Sequence, residues 1–332
     1  MTRPFLSALF GFVLCVCRAA TGEAATAHAG QVVMGTVLQI TVVADDPSHA
    51  RRMTIRAMEI ARHWDDVLTT WRPEGELARL NAAAGKRPQP ITADLASALT
   101  IMSQLSYATD GAFDPGVGPL VTTYSRPRAA ALTPTPATRI REALKVDGTT
   151  ASLLGGAALD AGGIGKGIAL DAIAEELRAA GVSGAYLDFG GSSQLAFGTM
   201  ENGAPWTLAL AGLELGGSHG LMRLDGALST SRSRPLGDET GPIVNPYTGR
   251  VVAERRFVTC YATSATQAEA CSKAFVVLGW AAYELPRRTG WEALYEDADG
   301  LHVSSRFASM ISGGSVVRAS RYDSIAPNKM RK

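Results

Sequence analysis

A chain of 332 residues, 46% of them hydrophobic, has ample material for the core of one large domain or two modest ones. Its 32 basic side chains almost balance 31 acidic ones, which argues against nucleic acid or a strongly acidic surface as a partner. Of the five histidines, His28 falls near the end of the leader-like first residues, and His49, His63, His219 and His302 are scattered, with no zinc-type Cys/His cluster.

In chain order, Arg3 supplies a positive start and Phe5 through Cys17 form an apolar run too short to span a bilayer. Small residues follow. Residues 1–29 therefore read as a secretory signal peptide, ending near Gly22-Glu23-Ala24 or Ala27-His28-Ala29, and predict a periplasmic or otherwise extracytoplasmic location. Bulky Leu14 and Val16 argue against a lipid anchor on Cys15 or Cys17; an uncleaved leader would tie the chain to a membrane. Beyond it only Cys260 and Cys271 remain. Two cysteines make no disulfide framework, so the expectation is two buried thiols, with one disulfide as the alternative in an oxidising compartment.

Val32 to Val43 reads as one strand broken by Gly35. Pro47-Ser48 opens a helix with Met53, Ala57, Ile60, Trp64 and Leu68 at three- and four-residue spacing. Arg72 to Asn81 is a polar segment ending near a turn. Thr92 caps a second helix, with Leu95, Leu99, Met102 and Leu105 on one face. A loop over Thr109 to Gly118 precedes a Pro-rich stretch, Arg126 to Pro136, which reads as an exposed excursion. Further on come strand candidates at Ala185–Phe189, Trp206–Ala211, Leu221–Leu224 and Phe257–Ala262. A helix over Thr266 to Leu278 and a hairpin-like pair, Ala293–Glu296 and Leu301–Ser304, complete the chain. This mixed order predicts a single α+β domain rather than an alternating parallel sheet.

The richest segment is Leu159-Asp160-Ala161-Gly162-Gly163-Ile164-Gly165-Lys166-Gly167-Ile168-Ala169-Leu170-Asp171. Its glycines and lysine lead into an apolar-periodic helix through Ile173, Ala174 and Leu177, with a stop at Gly181. Glycines allow close backbone approach, and a helix start offers free N–H groups and a positive dipole end, so the segment suits an anion as well as it suits a plain turn. It is not a nucleotide P-loop, because Gly167 stands where Ser or Thr is needed after Gly-Lys, and it lacks the strand context of a dinucleotide fingerprint.

Several pieces occur in an order that resembles the FAD:protein FMN transferases, the ApbE family, over roughly Gln31 to Ile311. They are Met34-Gly35-Thr36, Trp71 with Glu76 to Asn81, Gly111-Ala112-Phe113-Asp114-Pro115, the Gly-Lys-Gly segment and Gly190-Gly191. Ser229-Thr230-Ser231, Asn245-Pro246-Tyr247-Thr248-Gly249, and Ala268-Glu269 ahead of Leu278-Gly279 follow. The resemblance implies one α+β domain of mixed, largely antiparallel sheets with packed helices over residues 30–318, followed by a polar tail, 319–332. It implies FAD as substrate and Mg²⁺ at the pyrophosphate. The acceptor would be a flavoprotein, in a membrane-attached electron-transfer subunit, whose Thr or Ser hydroxyl takes the FMN while AMP leaves. Matched positions put Met34, Trp71, Gly111, Ala112, Phe113, Asp160, Gly162, Lys166 and Ile168 around FAD. An aromatic such as Trp71 can stack on a flat heterocycle or, alternatively, close a helix end against the core.

Three departures stand out. The family's metal site uses a backbone carbonyl, here at Gly165, with an Asp and a Thr one helical turn apart; this chain has Glu269 and Lys273 there. A longer carboxylate alters an octahedral site, and an ammonium offers no lone pair. Thr266-Gln267-Ala268-Glu269 also has capping-box form, and Glu269 with Lys273 has the spacing of an exposed ion pair worth about 0.2–0.5 kcal/mol. Members usually carry a His and an Asp where Pro242 and Asn245 stand, and a Tyr at the position of Ile168. An FMN transferase is the first reading. A non-catalytic FAD-binding protein, with Lys273 in place of the metal, is the alternative, ahead of a scaffold without ligand. A serine hydrolase using Ser229 or Ser231 lacks a positioned histidine or nucleophile elbow.

Overall fold

The computed structural model describes residues 24–124, 136–213, 217–233, 243–283 and 289–313. Most of the expected leader, the Pro-rich stretch before Pro136, Pro242 and the tail 319–332 lie outside these residues.

The first half of the chain contains β1 (Ala25–Val33), β2 (Thr36–Ala44), α1 (Pro47–Leu68), α2 (Glu76–Ala82), β3 (Gln89–Pro90), α3 (Ala93–Ala108), α4 (Gly118–Tyr124), α5 (Ile140–Ala143), β4 (Leu144–Asp147) and β5 (Thr150–Leu153). The second contains α6 (Gly165–Ala179), β6 (Gly184–Phe189), β7 (Ser193–Gly198), β8 (Thr207–Ala211), β9 (Ser218–Arg223), β10 (Gly226–Arg232), β11 (Val244–Asn245), β12 (Arg250–Val251) and β13 (Phe257–Ala262). It closes with α7 (Ala265–Leu278), β14 (Glu292–Asp297), β15 (Gly300–Val303), α8 (Ser305–Met310) and β16 (Ile311–Ser312).

An eight-stranded sheet in the order β1-β2-β6-β7-β10-β13-β14-β15 divides the molecule, and every pairing in it is antiparallel. Strand alternation sorts its side chains to two faces. Val258, Cys260 and Ala262 of β13 join the core beneath α1, α6 and α7, while Phe257 and Tyr261 point into a second core. That second core lies under the small sheet β16-β9-β8 and α8, where Leu210, Met222 and Phe307 meet Leu228 and Leu294 of the large sheet. The architecture is a single α+β domain with antiparallel sheets, as expected.

Several local expectations change. The supposed single strand Val32 to Val43 is a hairpin. Val33 pairs with Thr36 across a two-residue turn in which Met34 (φ 51°) and Gly35 (φ 75°) are both left-handed, the combination that matches the twist of flanking strands. Because β1 is paired from Ala25 onward, a domain start at residue 30 falls inside a strand, and a cut after Ala29 would remove half of it. The polar segment Arg72 to Asn81 contains α2, whose Leu77 and Leu80 are buried. The expected pair of buried thiols is instead a disulfide. The register of β13 turns Cys260 toward α7, bringing its Cα within 6.1 Å of that of Cys271.

Candidate functional site

The glycine-rich segment is held at both ends before it makes any site. Asn81 on α2 clamps its entry, donating from Nδ2 to the Leu159 carbonyl (2.8 Å) and accepting the Leu159 amide at Oδ1 (2.8 Å). Asp160 donates its own amide to the Pro115 carbonyl and accepts the Gly162 amide at 2.8 Å. Burial pushes the Asp160 carboxyl upward from its ordinary value, against the Gly162 amide and the Thr70 hydroxyl, which favour the charged form. Gly167 must be glycine for packing. A Cβ there would sit 2.7 Å from the Ala265 carbonyl and the Thr266 backbone, so α6 could not approach the start of α7.

These two helices cap one another. The Asp171 carboxylate on α6 accepts from the Ala265 amide (2.7 Å), the Thr266 amide (3.0 Å), and the hydroxyls of Ser264 and Thr266 (both 2.6 Å). Glu269 on α7 returns the favour to α6. Its fully buried carboxylate accepts the Gly167 amide at 2.9 Å and the Ser193 hydroxyl at 2.5 Å, with Lys166 Nζ 3.9 Å away. Two sequence expectations fall here. The start of α7 is capped by Ser264 with Asp171, not by a Thr266–Glu269 box, and Glu269 is no exposed helix brace. The Gly167 amide, moreover, is committed to Glu269 rather than free for an anion.

In front of this helix pair lies a cleft with two lobes, of about 420 and 510 Å³. Trp71, Asp160, Gly162 and Lys166 stand on the wall common to both. One lobe adds Met34, Gly35, Asp65 and Gly165; the other adds Ala112, Phe113, Thr230, Ser231, Arg232 and Lys273. Trp71 is 73% exposed, which removes the reading of a helix-end tryptophan packed on the core and leaves its ring open to a flat partner. Lys166 donates to the Ser192 hydroxyl at 2.8 Å. Lys273 is half-buried; desolvation pulls its pKa down to about 8, with Glu269 supporting the charge and Lys166 opposing it.

Three expected residues lie elsewhere. Gly111 stands behind the cleft, its carbonyl accepting from Arg139 Nη1 at 2.6 Å. Ile168 is buried on another side of α6 and borders a separate depression with Trp64, Asp171 and Trp291. Glu269 lies beneath the floor. Asp114 also serves structure. Its buried carboxylate accepts from the Ser106 hydroxyl (2.7 Å) and from the amides of Gly116 (2.8 Å) and Ile140 (3.0 Å), fixing the loop that carries Phe113. Asn245 makes a turn, its Oδ1 accepting the Tyr247 amide at 2.9 Å. Ser229 and Ser231 both bond the Ser272 hydroxyl, and no imidazole lines the cleft among the described residues, so no serine-hydrolase triad forms.

The donor set does not fit Mg²⁺. An octahedral ion needs oxygen ligands with free lone pairs. Here Glu269 is fully buried and lines neither lobe, its carboxylate turned to the Gly167 amide and the Ser193 hydroxyl, and the residue one turn later brings an ammonium. Each unit of charge repulsion at 4 Å is worth roughly 4 kcal/mol at an effective dielectric of about 20. Among the described residues the only trio of metal-ligating side chains close together is Asp45, Asp46 and His49, at the exposed start of α1, where Asp46 caps the helix.

An antiparallel α+β domain with a two-lobed cleft carrying Lys166 and Lys273 is a class apart from the P-loop and dinucleotide folds, which are built on parallel sheets. Comparison with known proteins is specific. The sequence model of the ApbE family matches residues 34–295, and the chain belongs to that family. It is 26% identical over 312 residues to a protein of Klebsiella pneumoniae (strain 342) named FAD:protein FMN transferase, covering 83% of this chain and 87% of that one. A protein of the same name from Escherichia coli (strain K12) is 25% identical over 306 residues, covering 81% and 85%. Among solved structures, the flavin transferase ApbE from Vibrio cholerae superposes with a TM-score of 0.76 at 22% identity, covering 87% of this chain and all of that chain. The ApbE protein of Thermotoga maritima gives 0.77 at 20%, and both share the fold.

Sequence reasoning carried Asn81 and Asp171 only as ends of motif segments, without their roles as clamp and cap, and did not reach Ser192 and Ser193. Their partners lie 26 to 95 residues away in the chain, so no local pattern marks them.

Proposed function

We propose that the chain is an FAD:protein FMN transferase. FAD occupies the two-lobed cleft, with a ring system against Trp71 and the pyrophosphate beside Lys166 and the wall from Asp160 to Gly165. Met34, Ala112 and Phe113 close the cleft around it, and Gly111 supports that wall from behind. A Ser or Thr hydroxyl of an acceptor flavoprotein attacks the phosphorus of the FMN half. The new O–P bond forms as the bond from that phosphorus to the bridging oxygen breaks. The electron pair leaves with AMP, the hydroxyl proton passes to solvent, and FMN stays on the acceptor as a phosphoester.

For such a transfer the protein contributes position and charge, not covalent chemistry. The shared wall carries this reading: one exposed indole, one lysine and one glycine turn serve both lobes, as a ligand with two halves joined by phosphates requires. The acceptor is proposed to be an electron-transfer subunit facing an extracytoplasmic compartment. The leader-like first residues and the Cys260–Cys271 disulfide support that location, because such bonds persist in oxidising compartments.

The test is a transfer assay on the full chain with FAD and a proven flavin-acceptor domain. Covalent FMN on the acceptor, seen by mass spectrometry, and an equal amount of AMP are expected. The absence of both products would overturn the proposal.

A further inference from the structure

We infer that Lys273 and Lys166 together form a cationic seat for the pyrophosphate of FAD, so that this chain holds the nucleotide without a divalent cation. The identity of the ligand rests on the transferase reading; the seat itself rests on three observations.

The first is Glu269. Its carboxylate is fully buried, lines neither lobe of the cleft, accepts from a backbone amide and a hydroxyl, and lies 3.9 Å from the Lys166 ammonium, which balances its charge within the protein. The second is Lys273. An ammonium carries three donors, yet its one hydrogen bond among the described residues is a long one, 3.5 Å to the Ser272 hydroxyl. A partly desolvated ammonium with spare donors on the wall of a cleft calls for an anion. The third is arrangement. Lys166 and Lys273 line the same lobe, and Lys166 opposes the charge on Lys273. A ligand with negative charge on each of two linked phosphates relieves that repulsion, whereas a divalent cation would add to it. The Lys273 ammonium thus supplies the positive charge that a metal would bring, from a side chain anchored on α7.

The experiment titrates the full chain with FAD, followed by flavin fluorescence, once with EDTA and once with Mg²⁺. Riboflavin, which has no phosphate, is the control ligand. The dissociation constant for FAD is expected to agree within about twofold between the two conditions. Lys273→Ala should weaken FAD binding by about tenfold or more, the scale of a lost charge-assisted bond, and leave riboflavin binding unchanged. Lys273→Arg should recover most of the affinity, and thermal melting of each variant shows that it is folded. If Lys273→Ala does not fold, the EDTA comparison and Lys273→Arg still decide.

The inference is overturned if EDTA weakens FAD binding about tenfold and Mg²⁺ restores it, or if a folded Lys273→Ala binds FAD as tightly as the parent. Tight, EDTA-resistant binding without FMN transfer would sink the transferase reading and leave the seat standing. No FAD binding in either condition would sink both.

Discussion

The two faces of the large sheet are built by different rules. Under β8, β9 and α8 the core is a continuous apolar cluster, and its two polar tips, Trp206 Nε1 and the Tyr261 hydroxyl, each find a backbone carbonyl. Under α1, α6 and α7 the core is larger but laced with buried polar groups: Glu269, Ser193, Ser229, Thr266 and Ser272. One face is filled for stability alone. The other accepts the cost of burying polar atoms, each satisfied by a named partner, and the cleft opens there.

That contrast can be broken by mutation. The largest loss of stability belongs to the apolar face: Phe307→Ala, deleting a fully buried ring, is expected to cost about 3–5 kcal/mol in urea unfolding. FAD affinity of the folded fraction should not change, and a binding defect would show that the two faces are coupled. On the helical face Glu269→Ala should cost about 3 kcal/mol, because it strands the Gly167 amide and the Lys166 ammonium, and here FAD binding should suffer too. Unaltered binding would mean that Glu269 only braces the helices. The smallest effect on stability is expected for Trp71→Ala, within about 0.5 kcal/mol for so exposed a side chain. Its FAD affinity should nevertheless fall by about tenfold, the scale of a lost stacking contact.

Much of the helical face was legible in the sequence. Periodic apolar residues outlined α1, α3, α6 and α7, and the Asp46 and Thr92 caps sit where helix starts were expected. The sheet was harder to see. β7 and β10 were not among the strand candidates: β10 carries Ser229, Thr230 and Ser231, which lack an apolar alternation, and its burial follows from β13 and α7 packed against it. The site divided in the same way. Trp71, Phe113, Asp160, Gly162 and Lys166 converge as ordered motifs suggested, since each lies in a short segment with its own signature. Ile168 lies apart from the cleft, because position along a helix does not reveal which side of it faces a given wall. Glu269 misled because capping-box spacing was present by coincidence, while the real cap of α7 comes from Asp171, 93 to 95 residues upstream.

The exchange of caps between α6 and α7 also bears on motion. Neither helix can fray at its start without stripping a carboxylate from the other, so the two starts open together or stay shut. For solvent exchange the amides of Gly167 and Ala265 therefore belong to one cooperative unit, although they are far apart in the chain. A ligand resting on this wall meets a joint, not a fraying helix end, and any breathing of the cleft floor is a concerted event of two helices.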